Sequence, residues 1–237
     1  MCEGKTPSQP WGNHELQCYA NDKNNVRVEK GNLVLTATPL NTPQREHNYT
    51  SGKLIGKKGF TYGKFEMRGR VPKGKHLWPA FWMLPKDFVY GSTFAASGEI
   101  DIMELRGDEP GKIESTIHYG GTKPNFKSSG GYVGDFYRSF ADDFHTFGCI
   151  WSNTSIDFYV DDLVFHRERI DRSMYSGSGP NPYTKNGQPF DKDFQINLNL
   201  AVGGAFFEPP EITEADARKW PQPSYVIDYV RVYKQKN

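Results

Sequence analysis

Ser97-Gly98-Glu99-Ile100-Asp101-Ile102-Met103-Glu104-Leu105-Arg106 sets three carboxylates within six positions among strongly apolar neighbours. In a strand, successive side chains point to opposite faces. Glu99 and Asp101 then share one face, and Ile100 and Ile102 the other. Glu104 breaks the pattern, because strict alternation from Glu99 sends it into the core with the isoleucines. A lone ionised carboxylate is very unfavourable there. One extra residue, a β-bulge at about Ile102-Met103, removes the conflict. Met103 then turns inward, and Glu104 rejoins Glu99 and Asp101.

Three carboxylates on one face repel each other. Unless a cation holds them, at least one must keep its proton into the neutral range. A protonated carboxylic acid beside an ionised carboxylate is the equipment of a retaining glycosidase: one group attacks the sugar and the other protonates the leaving oxygen. The alternative, an edge strand decorated with solvated acids, leaves the broken alternation unexplained.

The rest of the composition fits a β-rich chain acting on an uncharged partner. The 237 residues include 24 glycines and 16 prolines, and 14% are aromatic. Lys and Arg total 29 against 28 Asp and Glu, a net charge of +1. That balance gives no electrostatic pull toward nucleic acid or an anionic membrane. No run of 18 apolar residues occurs, so no membrane-spanning helix is expected. The first residues, Met1-Cys2-Glu3-Gly4-Lys5, lack the apolar run of a signal peptide. The expectation is a secreted chain whose signal precedes this numbering. Of three cysteines, Cys2 and Cys18 could pair, leaving Cys149 as a buried thiol. Asn48-Tyr49-Thr50 and Asn153-Thr154-Ser155 permit N-glycosylation.

Alternation recurs along the chain. Strands are expected at 26–28 and 33–37 about a turn at 29–32, and over 60–71, 113–119, 147–151, 156–160, 163–169, 195–201 and 225–233. Loops are expected over 38–48, where two prolines fall, and over 88–96, 120–137 and 173–192. In 60–71 the polar face carries Lys64, Glu66, Arg68 and Arg70. If it joins the carboxylate face, Arg68 could hold an acid ionised. Trp78 and Trp82, four apart with Ala80 between, share a face just upstream of the acidic strand, where rings suit the C–H faces of sugars. His118 shares a face with Glu114 and Thr116. Gln195, Asn197 and Asn199 put amides on one face, and amides both donate and accept. Asp228, an acid among valines, needs a partner, and a structural cation is one candidate. Many short strands, no helical stripe, no repeat and no linker argue for a single all-β domain over 1–237, a sandwich or jelly roll.

Taken together, these pieces resemble glycoside hydrolase family 16, nearest to its laminarinase-like endo-β-1,3-glucanases. The resemblance rests on Glu99-Ile100-Asp101-Ile102-Met103-Glu104, with flanking matches at Trp11-Gly12-Asn13-His14-Glu15-Leu16-Gln17, Tyr62-Gly63-Lys64-Phe65-Glu66-Met67-Arg68, Trp78-Pro79-Ala80-Phe81-Trp82-Met83-Leu84-Pro85, Asn199-Leu200-Ala201-Val202-Gly203-Gly204 and Asp228-Tyr229-Val230-Arg231-Val232-Tyr233. It implies a concanavalin A-like β-jelly roll of two curved antiparallel sheets, with an open cleft on the concave face. It implies Glu99 as nucleophile, Glu104 as general acid/base and Asp101 as the acid that tunes the nucleophile. It also implies substrate contacts from Asn13, Arg68, Trp78, Trp82, His118 and Asn199, with Trp82 the closer tryptophan to the catalytic pair. No catalytic cofactor is implied, but a structural calcium ion is, at Asp228 and the backbone near Gly31. The partner is a β-glucan polysaccharide or oligosaccharide, and the chain acts as a monomer. The extra residue Met103 points to β-1,3 linkages, because lichenase-like and xyloglucan-active members have the unbulged motif. Agarases and carrageenases share the bulge. A glucan-recognition protein without activity, a transglycosylase and a mixed-linkage glucanase are the alternatives on the same fold.

Overall fold

A computed structural model describes residues 2–3, 11–44, 47–122, 125–134 and 138–234. It contains strands β1 (Cys2–Glu3), β2 (Gln17–Ala20), β3 (Val26–Glu29), β4 (Asn32–Thr36), β5 (Thr38–Gln44), β6 (His47–Ser51), β7 (Lys53–Phe60), β8 (Gly63–Arg70) and β9 (Leu77–Pro85). A one-turn helix, α1 (Phe94–Ser97), leads into β10 (Glu99–Glu104). Then come β11 (Lys112–Tyr119), β12 (Lys127–Gly134), β13 (His145–Trp151), β14 (Ser155–Val160), β15 (Leu163–Arg169), β16 (Phe194–Val202), a second short helix α2 (Glu214–Ala217) and β17 (Ser224–Tyr233).

Two large antiparallel sheets face each other, as expected of a jelly roll. One has the order β12-β11-β10-β9-β16-β7, the other β15-β14-β13-β8-β17-β4-β3. The alternation seen in the sequence is what lets them close. Phe65, Met67, Phe147 and Phe158 point inward from the seven-stranded sheet to meet Phe81, Met83, Ile100 and Ile117 from the six-stranded one. Burying each such side chain contributes about 1.5–3 kcal/mol. Tight turns come where positive φ is tolerated. Lys30 (φ 51) and Gly31 (φ 85) join β3 to β4, and Asp161 (φ 46) and Asp162 (φ 67) join β14 to β15. Two left-handed residues in a row match the twist of a hairpin.

The structure departs from the sequence-based expectations in four places, one of them the helical turn α1 that begins at Phe94 inside the expected loop 88–96. A third sheet, β1-β2-β6-β5, accompanies the two expected ones, and its β2–β6 pair is parallel. Residues 38–48, expected as a loop, mostly form β5 and β6. β5 is an edge strand, where prolines such as Pro39 are tolerated because one side of the ladder needs no donor. Within 120–137, also expected as a loop, β12 pairs with β11 along its full length as the edge of the six-stranded sheet. Its glycines and serines weaken the pattern but leave the backbone ladder intact.

Candidate active site

β10 lies between β9 and β11 in the six-stranded sheet. Gly98 (φ 91) turns the chain from α1 into it, and a Cβ there would sit 3.0 Å from Phe194. Against β9, Asp101 pairs with Trp82 and Met103 with Phe81, so Ile102 is the extra residue. Against β11, Asp101 pairs with Thr116 and Glu104 with Glu114, three steps against two. The bulge therefore lies where the sequence placed it. Ile102 and Met103 both turn inward, 1% and 0% exposed. The displaced backbone needs a partner, and the buried Ser115 hydroxyl donates to the Ile102 carbonyl at 2.7 Å.

The bulge returns Glu104 to the face of Glu99 and Asp101, and all three line one cleft of about 580 Å³. Electrostatics there follow from burial and crowding. Burial pushes the Glu99 carboxyl well above its usual range, the Asp101 and Glu104 charges add to it, and His118 opposes it. Burial raises Asp101 to about 7. Burial, then the Asp101 charge, raise Glu104 to about 8, while a hydrogen bond from Trp78 Nε1 at 2.8 Å pulls it back down. Three negative charges do not coexist at neutral pH, so protons remain on the face where a leaving oxygen can take one.

The cleft crosses the strands. It runs from Ser128 on β12 and His118 on β11, over the acids of β10, past Trp78 and Trp82 on β9 and Asn199 on β16, to Lys53 on β7. Asn13 closes the wall beside Lys53, its carbonyl accepting from Ala205 N at 2.7 Å. Five expected substrate residues, Asn13, Trp78, Trp82, His118 and Asn199, thus meet the three acids. Their duties differ from the expectation. The hydrogen bond to an acid comes from Trp78, not Trp82, and Phe206 stacks on the Trp78 ring with centroids 4.4 Å apart. Trp82 donates instead to Asn199 Oδ1 at 2.6 Å, and Asn199 Nδ2 donates to the Tyr19 hydroxyl at 3.0 Å. Asn199 spends much of its amide on orienting Trp82, the half-buried ring. His118 Nδ1 lies 2.6 Å from Ser128 Oγ, and its Nε2 3.0 Å from Asp101 Oδ2. That second approach is off the hydrogen-bonding direction, so the oxygen makes no hydrogen bond.

Arg68 is a correction. β8 belongs to the seven-stranded sheet, and its polar face is the outer surface of the sandwich. There Arg68 Nη1 pairs with Asp228 Oδ2 at 2.8 Å, both side chains about 40% exposed. That contact bears on the metal expectation, since it sets a cation against Asp228. The partner Asp228 required is an arginine. Gly31 sits in the β3–β4 turn. Asp228 and the Gly31 backbone would supply two of the six to eight oxygens calcium takes. Among the described residues, the donor set that does converge is Glu99, Asp101 and His118.

Several cleft residues escaped the sequence reading. Glu15 is raised by burial, accepts from Gln17 Nε2 at 2.8 Å, and faces Lys53. Lys53, lowered by burial and supported by the Glu15 and Glu99 charges, lies 4.7 Å above the Trp11 ring and 5.0 Å above the Trp82 ring. The two-residue step through Glu15, Gln17 and Tyr19 was a usable signal. Lys53, between Gly52 and Leu54, carried none. Phe126 and Ser128 were hidden in the stretch read as loop. Of the cysteines, Cys18 is disulfide-bonded and Cys149 is a buried free thiol. The side chain of Cys2 lies outside the described residues.

Comparison with known proteins places this geometry among relatives. The family model for glycosyl hydrolases family 16 matches residues 13–199. A glucan endo-1,3-beta-glucosidase of Cryptopygus antarcticus is 45% identical over 230 residues, 93% of this chain and 82% of that protein. Glucan endo-1,3-beta-glucosidase A1 of Niallia circulans is 40% identical over 242 residues, 95% of this chain and 33% of that protein. The solved laminarinase from Rhodothermus marinus superposes with a TM-score of 0.79 at 33% identity, covering 96% of this chain and 87% of that one.

Proposed function

This chain belongs to glycosyl hydrolases family 16, and from that membership we propose that it cuts internal β-1,3 bonds of β-glucans with retention of configuration. The observation that carries the proposal is the bulge at Ile102, which sets Glu99, Asp101 and Glu104 side by side on the cleft. Glu99 attacks the anomeric carbon as the glycosidic C–O bond breaks. Glu104, whose raised carboxyl keeps its proton near neutrality, delivers it to the departing oxygen. Glu104 then takes a proton from water, the water oxygen bonds to the anomeric carbon, and Glu99 leaves.

The remaining cleft residues serve these two steps. Asp101 accepts a hydrogen bond from Glu99 that raises Glu99 and lowers Asp101, so the pair holds a proton between them that Asp101 can keep when Glu99 attacks. His118 Nε2 stands 3.0 Å from Asp101 Oδ2 and holds that carboxyl in place beside Glu99. Trp78 fixes the acid/base, and Trp82, with Asn199 behind it, presents a ring to a glucosyl unit. Asn13 adds polar contacts at the Lys53 end. Family 16 chemistry requires no catalytic cofactor. A calcium ion at Asp228 has no part in the proposal, because Arg68 already neutralises that carboxylate.

The same reading has one catalytic domain over 1–237 acting as a monomer outside the cell. The disulfide at Cys18 favours an oxidising compartment, and Asn48 and Asn153 are both exposed. Reducing-end release from laminarin tests the activity, with product sizing to show internal cleavage. Glu99→Gln should release nothing while still binding laminari-oligosaccharides. Near-wild-type turnover by that variant would sink the assignment of the nucleophile.

A further inference from the structure

We propose that Glu99, Asp101 and His118 also form a binding site for a divalent transition metal, zinc foremost, and that the bound ion switches hydrolysis off. One donor atom from each residue, two carboxylate oxygens and an imidazole nitrogen, lies within 4.8 Å of the other two. Asp101 is 3% exposed, and its Oδ2 has no hydrogen-bond partner. An unpaired buried acceptor is costly, and a cation is the ligand that relieves it.

His118 is prepared for the same role. When Nδ1–H donates to Ser128 Oγ at 2.6 Å, Nε2 presents a bare lone pair to the acids, the tautomer metal-bound histidines adopt. Nε2 and Asp101 Oδ2 then stand 3.0 Å apart with no hydrogen bond between them. Two ligands about 2.1 Å from one tetrahedral ion stand about 3.4 Å apart, so this pair opens by about 0.4 Å to take zinc. One imidazole with two carboxylates suits zinc and its neighbours rather than calcium, which takes oxygens alone. Three protein ligands leave a position open toward the cleft.

Metal binding stands on this geometry alone. Inhibition rests on the function proposed above, because a metal on Glu99 occupies the lone pair that would attack the sugar. Zinc and glucan should therefore exclude each other.

The test is calorimetric titration of zinc chloride into chelator-treated protein, alongside laminarin hydrolysis with and without zinc. Wild type should bind one zinc per chain, and a saturating laminari-oligosaccharide should abolish the heat. His118→Asn should weaken binding at least about a hundredfold. Ser128→Ala, at an exposed position, should weaken it about tenfold through the loosened ring. His145→Asn removes the surface pair with Asp161 (2.5 Å) and should bind zinc as wild type does. Equal affinity in wild type and His118→Asn, or zinc binding indifferent to oligosaccharide, overturns the proposal. Normal zinc binding by a protein that hydrolyses no laminarin after chelation leaves the metal site standing and refutes the function instead.

Discussion

Replacing Glu104 by Gln should stabilise the fold at neutral pH and leave it unchanged in acid. The native Glu104 carboxyl titrates at about 8 against an ordinary 4.5. Below pH 4.5 the acid is protonated in both folded and unfolded chains and makes no difference. As pH rises toward 8, the unfolded chain ionises freely while the native state holds its proton, so stability is lost across that window. At pH 7 the gap is 2.5 units, and at 1.36 kcal/mol per unit it amounts to about 3 kcal/mol for a fully shielded group. Glu104 opens on the cleft, where water screens it, so about 1–2 kcal/mol is expected. Gln has the same shape, still accepts from Trp78 Nε1 and carries no charge. At about 2–4 °C per kcal/mol for a chain this long, Tm should rise by roughly 2–8 °C at pH 7 and by nothing at pH 4. Thermal melts of both proteins from pH 4 to 8 read this directly. A difference that stays flat or shrinks with pH refutes the electrostatic account. The variant should also lose about 10²–10⁴-fold in kcat on laminarin, the usual contribution of a general acid.

Three further outcomes follow from the same geometry. Trp78→Phe removes the donor that favours the ionised Glu104, so the alkaline limb of the kcat/KM profile should move up by about one unit; an unmoved limb would remove Trp78 from the acid's environment. Ser115→Ala orphans the Ile102 carbonyl and should destabilise by about 1–3 kcal/mol in denaturant melts, with kcat falling more than KM rises because the bulge is what aims Glu104. Arg68→Ala, on the far surface, should leave kcat/KM on laminarin unchanged and shift stability by less than about 1 kcal/mol; a large loss of activity would return Arg68 to the cleft.

The bulge was legible because charge and periodicity disagree only one way. Glu99 and Asp101 keep step, Glu104 does not, and a core cannot hold the exception. The cleft face of Trp78, Trp82 and His118 was legible for the same reason, as a break in apolar packing. Arg68 was misplaced because alternation says that a strand has a polar side without saying which sheet the strand joins. β8 reads the same on either sheet, and only its pairing with β13 and β17 decides. β5 and β12 were missed because edge strands are held by backbone on one side and need no side-chain pattern. Lys53 was invisible because its role comes from Trp11, Trp82 and Glu15, distant in sequence and gathered by the fold.

A groove laid across strands is graduated like a ruler, with a mark about every 4.8 Å. Two strands, β11 and β12, lie on one side of β10, and three, β9, β16 and β7, on the other. The longer arm also carries Trp78, Trp82, Asn199 and Lys53. A polymer seated here is held by unequal grips. On the proposed mechanism the fragment whose oxygen takes the proton from Glu104 leaves first, because the other stays bonded through its anomeric carbon to Glu99 until water arrives.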